Sequence, residues 1–162
     1  MSALLKTDSA GSETNLAEFE SAELESAKYE SAVLIDTNGF MIPIQFGIDI
    51  FSELRRLGFS QFLTVSAVIY ELDKLSRTVK GNDKIAVRIA RRLSGMCQLI
   101  DDFSTGPGSS VKYADDIIIE SALKYSIAVL TNDAVLRQKL MEKGVRVVSM
   151  RQTNRLDFIH QK

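Results

Sequence analysis

The sequence predicts one three-layer α/β domain of Rossmann-like type, with a mostly parallel central sheet. Short apolar runs rich in Val, Ile and Leu alternate with segments whose apolar residues recur at helical spacing, and this alternation is typical of βαβ units. Two runs, within VLIDTN at 33–38 and AVLTND at 128–133, lead into an aspartate. The 162 residues, 45% of them hydrophobic, suffice for one domain with its own core.

The individual elements follow from these patterns. Five short apolar runs bounded by polar turn residues predict strands, at 32–36, 62–66, 97–103, 127–131 and 145–150. Five periodic segments predict helices, at 46–59, 67–79, 84–96, 115–125 and 134–144. Between them, Asn38-Gly39 is typical of a turn and 104–110 of a loop, while Ser66 and either Asn82 or Asp83 are expected to cap helices.

The two ends of the chain lack this alternation. Residues 1–31 are rich in Ser, Ala and Glu, and ESA recurs at 20, 25 and 30, so we expect an acidic low-complexity tail that is disordered or loosely helical. The predicted domain covers 32–150, and 151–162 is expected to be a C-terminal tail. Residues 1–30 carry a net charge of −5 and the remainder +4, which keeps a polyanionic substrate open.

Composition excludes several kinds of site. The single cysteine, Cys97, rules out an internal disulfide and a cysteine-rich zinc site, and the single histidine, His160, argues against a nucleophile–histidine triad. No apolar run approaches the roughly 20 residues of a membrane span, and the N-terminus lacks the pattern of a signal peptide. We therefore expect a cytoplasmic protein without a membrane partner.

Acidic residues fall at related places in the predicted fold. Asp36 and Asp133 follow two strands, Glu71 lies early in the helix after strand 62–66, and the doublet Asp115 and Asp116 opens the helix before strand 127–131. Carboxylates that converge on one sheet edge repel one another unless a divalent cation neutralises them. Oxygen ligands without His or Cys favour Mg²⁺ or Mn²⁺.

Each acid also has a purely structural interpretation. Asp36 can form an Asx-turn, Asp133 and either member of the doublet can cap a helix, and Glu71 can pair with Lys74 on the helix surface. Taken together these alternatives weaken, because independent caps need not fall on the same edge of one sheet.

The order of these motifs resembles the PIN-domain nucleases over residues 32–150. It consists of VLIDTN, YEL at 70–72, YADDIIIESA at 113–122 and LTND at 130–133. The resemblance implies a metal-dependent ribonuclease, an endonuclease, with Asp36, Glu71, Asp115 and Asp133 as catalytic and metal-binding residues and Mg²⁺ or Mn²⁺ as cofactor. Asp116 is then an auxiliary acid, and Thr37, Asn38, Thr131 and Asn132 orient the ligands by hydrogen bonds.

Within that family, IPIQFGIDIF at 42–51, YADD and VVSMRQ are most similar to single-domain archaeal members related to ribosomal-RNA-processing PIN endonucleases, which implies a role in rRNA processing. The toxin-type branch, whose members are paired with an antitoxin, is the alternative, and a non-catalytic RNA-binding scaffold is another. The expected partners are RNA, a second copy of the chain, and a ribosome-assembly factor or antitoxin.

A basic stripe indicates where RNA binds. Lys84, Arg88, Arg91 and Arg92 recur at helical spacing, so they share one face that can follow phosphates towards the acidic residues. A solvated helix face is the alternative.

Overall fold

A computed structural model describes the backbone of residues 9–100 and 113–160. Side chains are described for residues 15–100 and 113–160. Within these residues the helices are α1 (Ser9–Lys28), α2 (Thr37–Phe46), α3 (Ile50–Arg56), α4 (Ser66–Thr78), α5 (Asn82–Ser94), α6 (Ala114–Tyr125) and α7 (Ala134–Glu142). The strands are β1 (Ala32–Ile35), β2 (Gln61–Thr64), β3 (Gln98–Leu99), β4 (Ala128–Leu130), β5 (Val147–Arg151) and β6 (Arg155–Ile159).

These strands form one sheet in the order β3-β2-β1-β4-β5-β6. All neighbours pair in parallel except β5 and β6, which are antiparallel. The predicted α/β class with a mostly parallel sheet is therefore confirmed. From β1 the chain continues to β2 and β3 on one side of the sheet, and it then returns to form β4 on the other side of β1. The pair β1 and β4 is therefore a topological switch point, and in open α/β sheets the crevice beyond such a point is the usual place for a ligand.

The central strands form the core because both of their faces are covered. All four residues of β1 and all three residues of β4 are buried, as expected for parallel strands between helical layers. Buried Leu and Ile side chains from the helices close the core, among them Leu54, Leu72, Ile118 and Leu136. This packing holds the carboxyl ends of β1 and β4 side by side, with Ile35 aligned to Leu130.

The predicted helix 46–59 is wrong in position. One helix, α2, starts directly after β1, and a second, α3, follows Asp49, whose side chain accepts hydrogen bonds from Phe51 N and Ser52 N. Asn38-Gly39 therefore lies in the first turn of α2 rather than in a separate turn. The backbone at Gly47 is left-handed, with φ +68°, and it separates the two helices because such a residue ends an α-helix.

The N-caps predicted for two helices are also wrong. Val65 caps α4 and Ser66 is its first helical residue, while Gly81 caps α5 and leaves Asn82 and Asp83 inside that helix. Of the predicted strand 97–103, β3 occupies Gln98–Leu99; residues 101–103 and the predicted loop 104–110 lie outside the described residues.

Both ends of the chain contain regular structure, which was one of two alternatives for the N-terminal segment and was not predicted for the C-terminal one. Helix α1 lies within the acidic segment 1–31, and Tyr29 after it stacks edge-on against Tyr125, with 5.1 Å between ring centroids. Residues 151–162, expected to be a tail, instead include strand β6. It is fastened to α3 by the hydrogen bond from Arg56 Nη2 to Leu156 O, at 2.6 Å. Among the described helices, none is both long and apolar enough to cross a bilayer.

Candidate active site

Asp36 is the centre of the candidate site. It follows β1 and caps α2, and only 6% of its surface is exposed. Its Oδ1 accepts a hydrogen bond from Gly39 N at 2.6 Å, and its Oδ2 accepts one from Thr131 Oγ1 at 2.7 Å. The carboxyl group is thus held from both sides, by the first turn of α2 and by the end of β4.

Gly39 is required by this arrangement, although the sequence pattern marked it only as part of a turn. A Cβ atom at this position would lie 2.9 Å from Leu130 O, 2.9 Å from Ile35 Cγ2 and 3.2 Å from Asp36 Oδ1. The backbone of α2 can approach β4 and donate to Asp36 only because residue 39 has no side chain. No periodicity in the sequence reports such a close approach.

Burial raises the pKa of Asp36 from 3.8 to about 7. The hydrogen bonds from Thr131 and Gly39 act in the opposite direction, and the negative charges of Asp115 and Asp133 add to the rise. A buried carboxyl that is surrounded by other acids is ionised at low cost only if a cation lies nearby.

Asp133 is tied to Asp36 through one hydroxyl group. Thr131 Oγ1, which donates to Asp36, also accepts a hydrogen bond from Asp133 N at 3.1 Å. Asp133 caps α7, and its Oδ1 accepts from Val135 N at 2.8 Å and from Leu136 N at 3.1 Å. The capping interpretation is therefore correct for Asp133, and it fixes the side chain beside the pocket at the same time.

Glu71 reaches the site from α4. Its Oε2 accepts a hydrogen bond from Thr37 Oγ1 at 3.1 Å. Thr37 is the first residue of α2, so this bond joins α4 to the helix that Asp36 caps. The carboxylate of Glu71 is directed towards the site, and the surface pairing with Lys74 does not form within the described residues.

The acidic doublet divides into two environments. Asp115 is partly buried in the first turn of α6 and lines the pocket, whereas Asp116 is exposed and does not line it. Neither caps the helix, because Tyr113 occupies that position. Burial raises the pKa of Asp115, the charges of Asp133 and Asp116 add to the rise, and Lys139 opposes it. Asp116 therefore acts on the site through its charge.

These side chains surround one pocket of about 180 Å³. Its polar lining comes from Asp36, Thr37, Asn38, Glu71, Asp115 and Asp133, and its apolar walls from Met41, Val68, Leu75, Ala114 and Ile118. A water molecule needs about 10–15 Å³ of such space, so the pocket has room for several. In the part of the chain that the structure describes, none of the four predicted catalytic acids has a basic partner within 4 Å.

The donor set fits a hydrated hard cation better than a dry metal cage. No three carboxylates among the described residues are close enough together to form a ready-made metal cluster. Mg²⁺ typically keeps several waters and takes only one or two carboxylates directly, and the pocket offers both room for water and carboxylate oxygens. Asp36, Asp115 and Asp133 are suited to hold such an ion, because their charges already act on one another.

The remaining predicted site residues differ in their surroundings. Asn38 lines the pocket itself, whereas Asn132 accepts a hydrogen bond from Ser149 Oγ at 3.1 Å and contacts none of the four acids by a hydrogen bond within the described residues. In the basic stripe, Lys84, Arg88 and Arg92 are exposed on α5. Arg91 instead donates from Nε to Asp73 Oδ1 at 2.8 Å and links α5 to α4.

Comparison with known proteins identifies the family. The model of the PIN-like domain family matches residues 33–153. The chain belongs to this family. Its acidic pocket lies at the carboxyl edge of the sheet, beyond the ends of β1 and β4.

Two sequence relatives and one solved structure are similar to the chain. Ribonuclease VapC9 of Archaeoglobus fulgidus is 32% identical over 123 residues, which cover 76% of this chain and 85% of the relative. Ribonuclease VapC4 of Methanocaldococcus jannaschii is 30% identical over 125 residues, covering 74% and 90%. The structure of the PIN domain endonuclease Utp24 has a TM-score of 0.63 and 26% identity, and covers 80% of this chain and 92% of that one.

Proposed function

We propose that this protein is a divalent-metal-dependent ribonuclease that cuts phosphodiester bonds inside an RNA chain. The observation that carries the proposal is the buried carboxyl group of Asp36, which lies in one pocket with three further acids and has no basic partner within the described residues. Such a site is electrostatically incomplete without a cation. It lies beyond the β1/β4 switch point, where a substrate can reach it.

The relatives support the choice of substrate. Both sequence relatives are named as ribonucleases, and the similar solved structure is named as an endonuclease. The chain spans most of the length of each of them, so the similarity covers the whole domain rather than a fragment of it. The oxygen-only donor set favours Mg²⁺ or Mn²⁺.

Each residue of the pocket has a role in this proposal. A bound cation lowers the pKa of water and stabilises the charge that develops on the phosphate. Asp36, Asp115 and Asp133 would hold the cation, and Thr131 keeps Asp36 and Asp133 in register. Glu71, held by Thr37, would orient water bound to the cation.

Two biological roles fit this activity. The structural similarity to Utp24 favours the rRNA-processing role, with a ribosome-assembly factor as partner. The sequence similarity to VapC9 favours a toxin-type ribonuclease that is paired with an antitoxin. A small antitoxin-like reading frame next to the gene would favour the second role. The homodimer and the cytoplasmic location stay predictions.

The test uses a labelled circular single-stranded RNA, because only an endonuclease can open it. We expect Mn²⁺ or Mg²⁺ to support cleavage, and excess chelator to abolish it. Asp36→Asn should lower the rate by at least about a hundredfold, as loss of a main electrostatic group does. Asp157→Asn, which changes a β6 carboxylate paired with Arg151, is the matched control and should cleave normally.

Two other results would contradict the proposal. Cleavage that survives both the chelator and Asp36→Asn would exclude the metal mechanism. RNA binding with neither cleavage nor thermal stabilisation by Mn²⁺ would instead favour the non-catalytic RNA-binding scaffold, which lacks a metal site.

A further inference from the structure

One face of α4 is exposed and has an unusual composition. The helix begins at Ser66, and its exposed positions include Tyr70, Lys74 and Arg77, which follow one another at i, i+4 and i+7 and therefore share a face. Tyr70 is 70% exposed, so its ring is available to a ligand. Within the described residues, neither Lys74 nor Arg77 has a carboxylate within 4 Å.

This face begins at the rim of the acidic pocket. Val68, Glu71 and Leu75 of the same helix line the pocket. Successive residues of an α-helix are rotated by about 100°, so Lys74 follows Glu71 one turn later and about 60° around the helix. Tyr70 and Arg77 lie about 40° and about 60° farther round in the same direction. Lys74 therefore lies between Glu71 and the other two residues of this face around the helix.

We propose that the face formed by Tyr70, Lys74 and Arg77 binds single-stranded RNA as it enters the acidic pocket, with the Tyr70 ring stacked on a base and the two cations against phosphates. This inference rests on the proposed ribonuclease function and adds to it the surface that holds the RNA outside the pocket. A base can stack on an aromatic ring only where it is unpaired, whereas cations alone bind paired and unpaired RNA alike.

Two features support RNA as the occupant of this face. The charge is complementary, because two cations flank the aromatic ring and a polyanion must reach the neighbouring pocket. The face is also held in place, because Asp73 on the same helix pairs with Arg91 of α5. That pair connects α4 to α5, on which Lys84, Arg88 and Arg92 are also exposed.

The test measures binding of a fluorescent oligonucleotide to the full chain that carries Asp36→Asn, with Mg²⁺ present, so that binding is separated from cleavage. Tyr70→Leu keeps apolar bulk but removes the ring, and Tyr70→Phe keeps the ring. We expect Tyr70→Leu to weaken binding of single-stranded RNA by about five- to a hundredfold, with little change for Tyr70→Phe and none for a duplex.

The two cations are tested by salt dependence. Replacing Lys74 and Arg77 with Ala should flatten the slope of log affinity against log salt by about 1.4, since each phosphate contact on a single strand contributes about 0.7. Lys143→Ala is the matched control. Lys143 follows α7, whose other end is at the pocket, so its replacement should leave the slope unchanged.

The outcomes separate this inference from the proposed function. Equal losses for single-stranded and duplex RNA, or an unchanged affinity in Tyr70→Leu, would overturn the stacking role even if wild-type protein cleaves RNA. Absence of RNA binding by the parent would overturn the inference as well. If wild-type protein also fails to cleave RNA, the proposed function fails separately. Unchanged melting temperatures would establish that the variants are folded.

Discussion

The most direct prediction concerns the ionisation of Asp36. In the unfolded chain its carboxyl group has the ordinary pKa of 3.8, whereas burial in the folded protein raises the pKa to about 7. The folded state therefore holds the proton more tightly. The contribution of this group to stability is complete below pH 3.8 and is lost as the pH rises through 7. The interval between the two values corresponds to about 4 kcal/mol of unfolding free energy in the metal-free protein.

Asp36→Asn keeps the size of the side chain and removes its ionisation. Between pH 5 and pH 8 the free energy of unfolding of the variant should therefore rise relative to wild type by about 3 kcal/mol. The assay is urea denaturation followed by circular dichroism at both pH values, with chelator present. Addition of Mg²⁺ at pH 8 should stabilise wild type more than the variant, because a bound cation compensates the buried charge.

A difference between variant and wild type that is the same at pH 5 and pH 8 would refute this reasoning. It would mean that Asp36 ionises in the folded protein as easily as in the unfolded chain. Burial and the neighbouring acids would then not destabilise the charged carboxylate, and a bound cation would have no such cost to offset.

Three further predictions follow from other contacts. Gly39→Ala should destabilise the protein by about 1–3 kcal/mol through overpacking against Leu130 O. Urea denaturation measures this loss, and the control Gly95→Ala should lose less stability. Equal losses in the two variants would contradict the prediction. Thr131→Val should cost about 1–3 kcal/mol and lower cleavage, because it leaves Asp36 Oδ2 and Asp133 N without their shared partner; unchanged stability and rate would count against that link. Arg88→Ala should reduce the slope of log affinity against log salt for single-stranded RNA by about 0.7. Arg91→Ala should leave this slope unchanged, because Arg91 is paired with Asp73. Equal slopes for the two variants would show that the pair does not hold in solution.

The sequence alone determined the α/β class and the central strands. Val33–Ile35 and Ala128–Leu130 are apolar at every position because a parallel strand between two helical layers is buried on both faces. An aspartate shortly after each of these strands, Asp36 directly after the first and Asp133 three residues after the second, is therefore a local signal that can be read without coordinates. The boundaries of α2 and α3 were not predictable in this way, since the N-cap role of Asp36 depends on the side chain rather than on apolar periodicity.

Only the tertiary structure decided how the acids are used. Asp115 and Asp116 are adjacent and chemically identical in sequence, but the packing of α6 partly buries the first in the pocket that Asp133 also lines, and it exposes the second. Likewise Arg91 shares its periodicity with Arg88, but the neighbouring helix α4 gives it an ion pair. The close approach of α2 to Leu130 requires glycine at position 39. The pairing of β1 with β4 places Thr131 where its hydroxyl group bonds both Asp36 and Asp133. Apart from the bond between Thr131 and Asp133, these contacts join residues far apart along the chain, so local patterns carry no record of them.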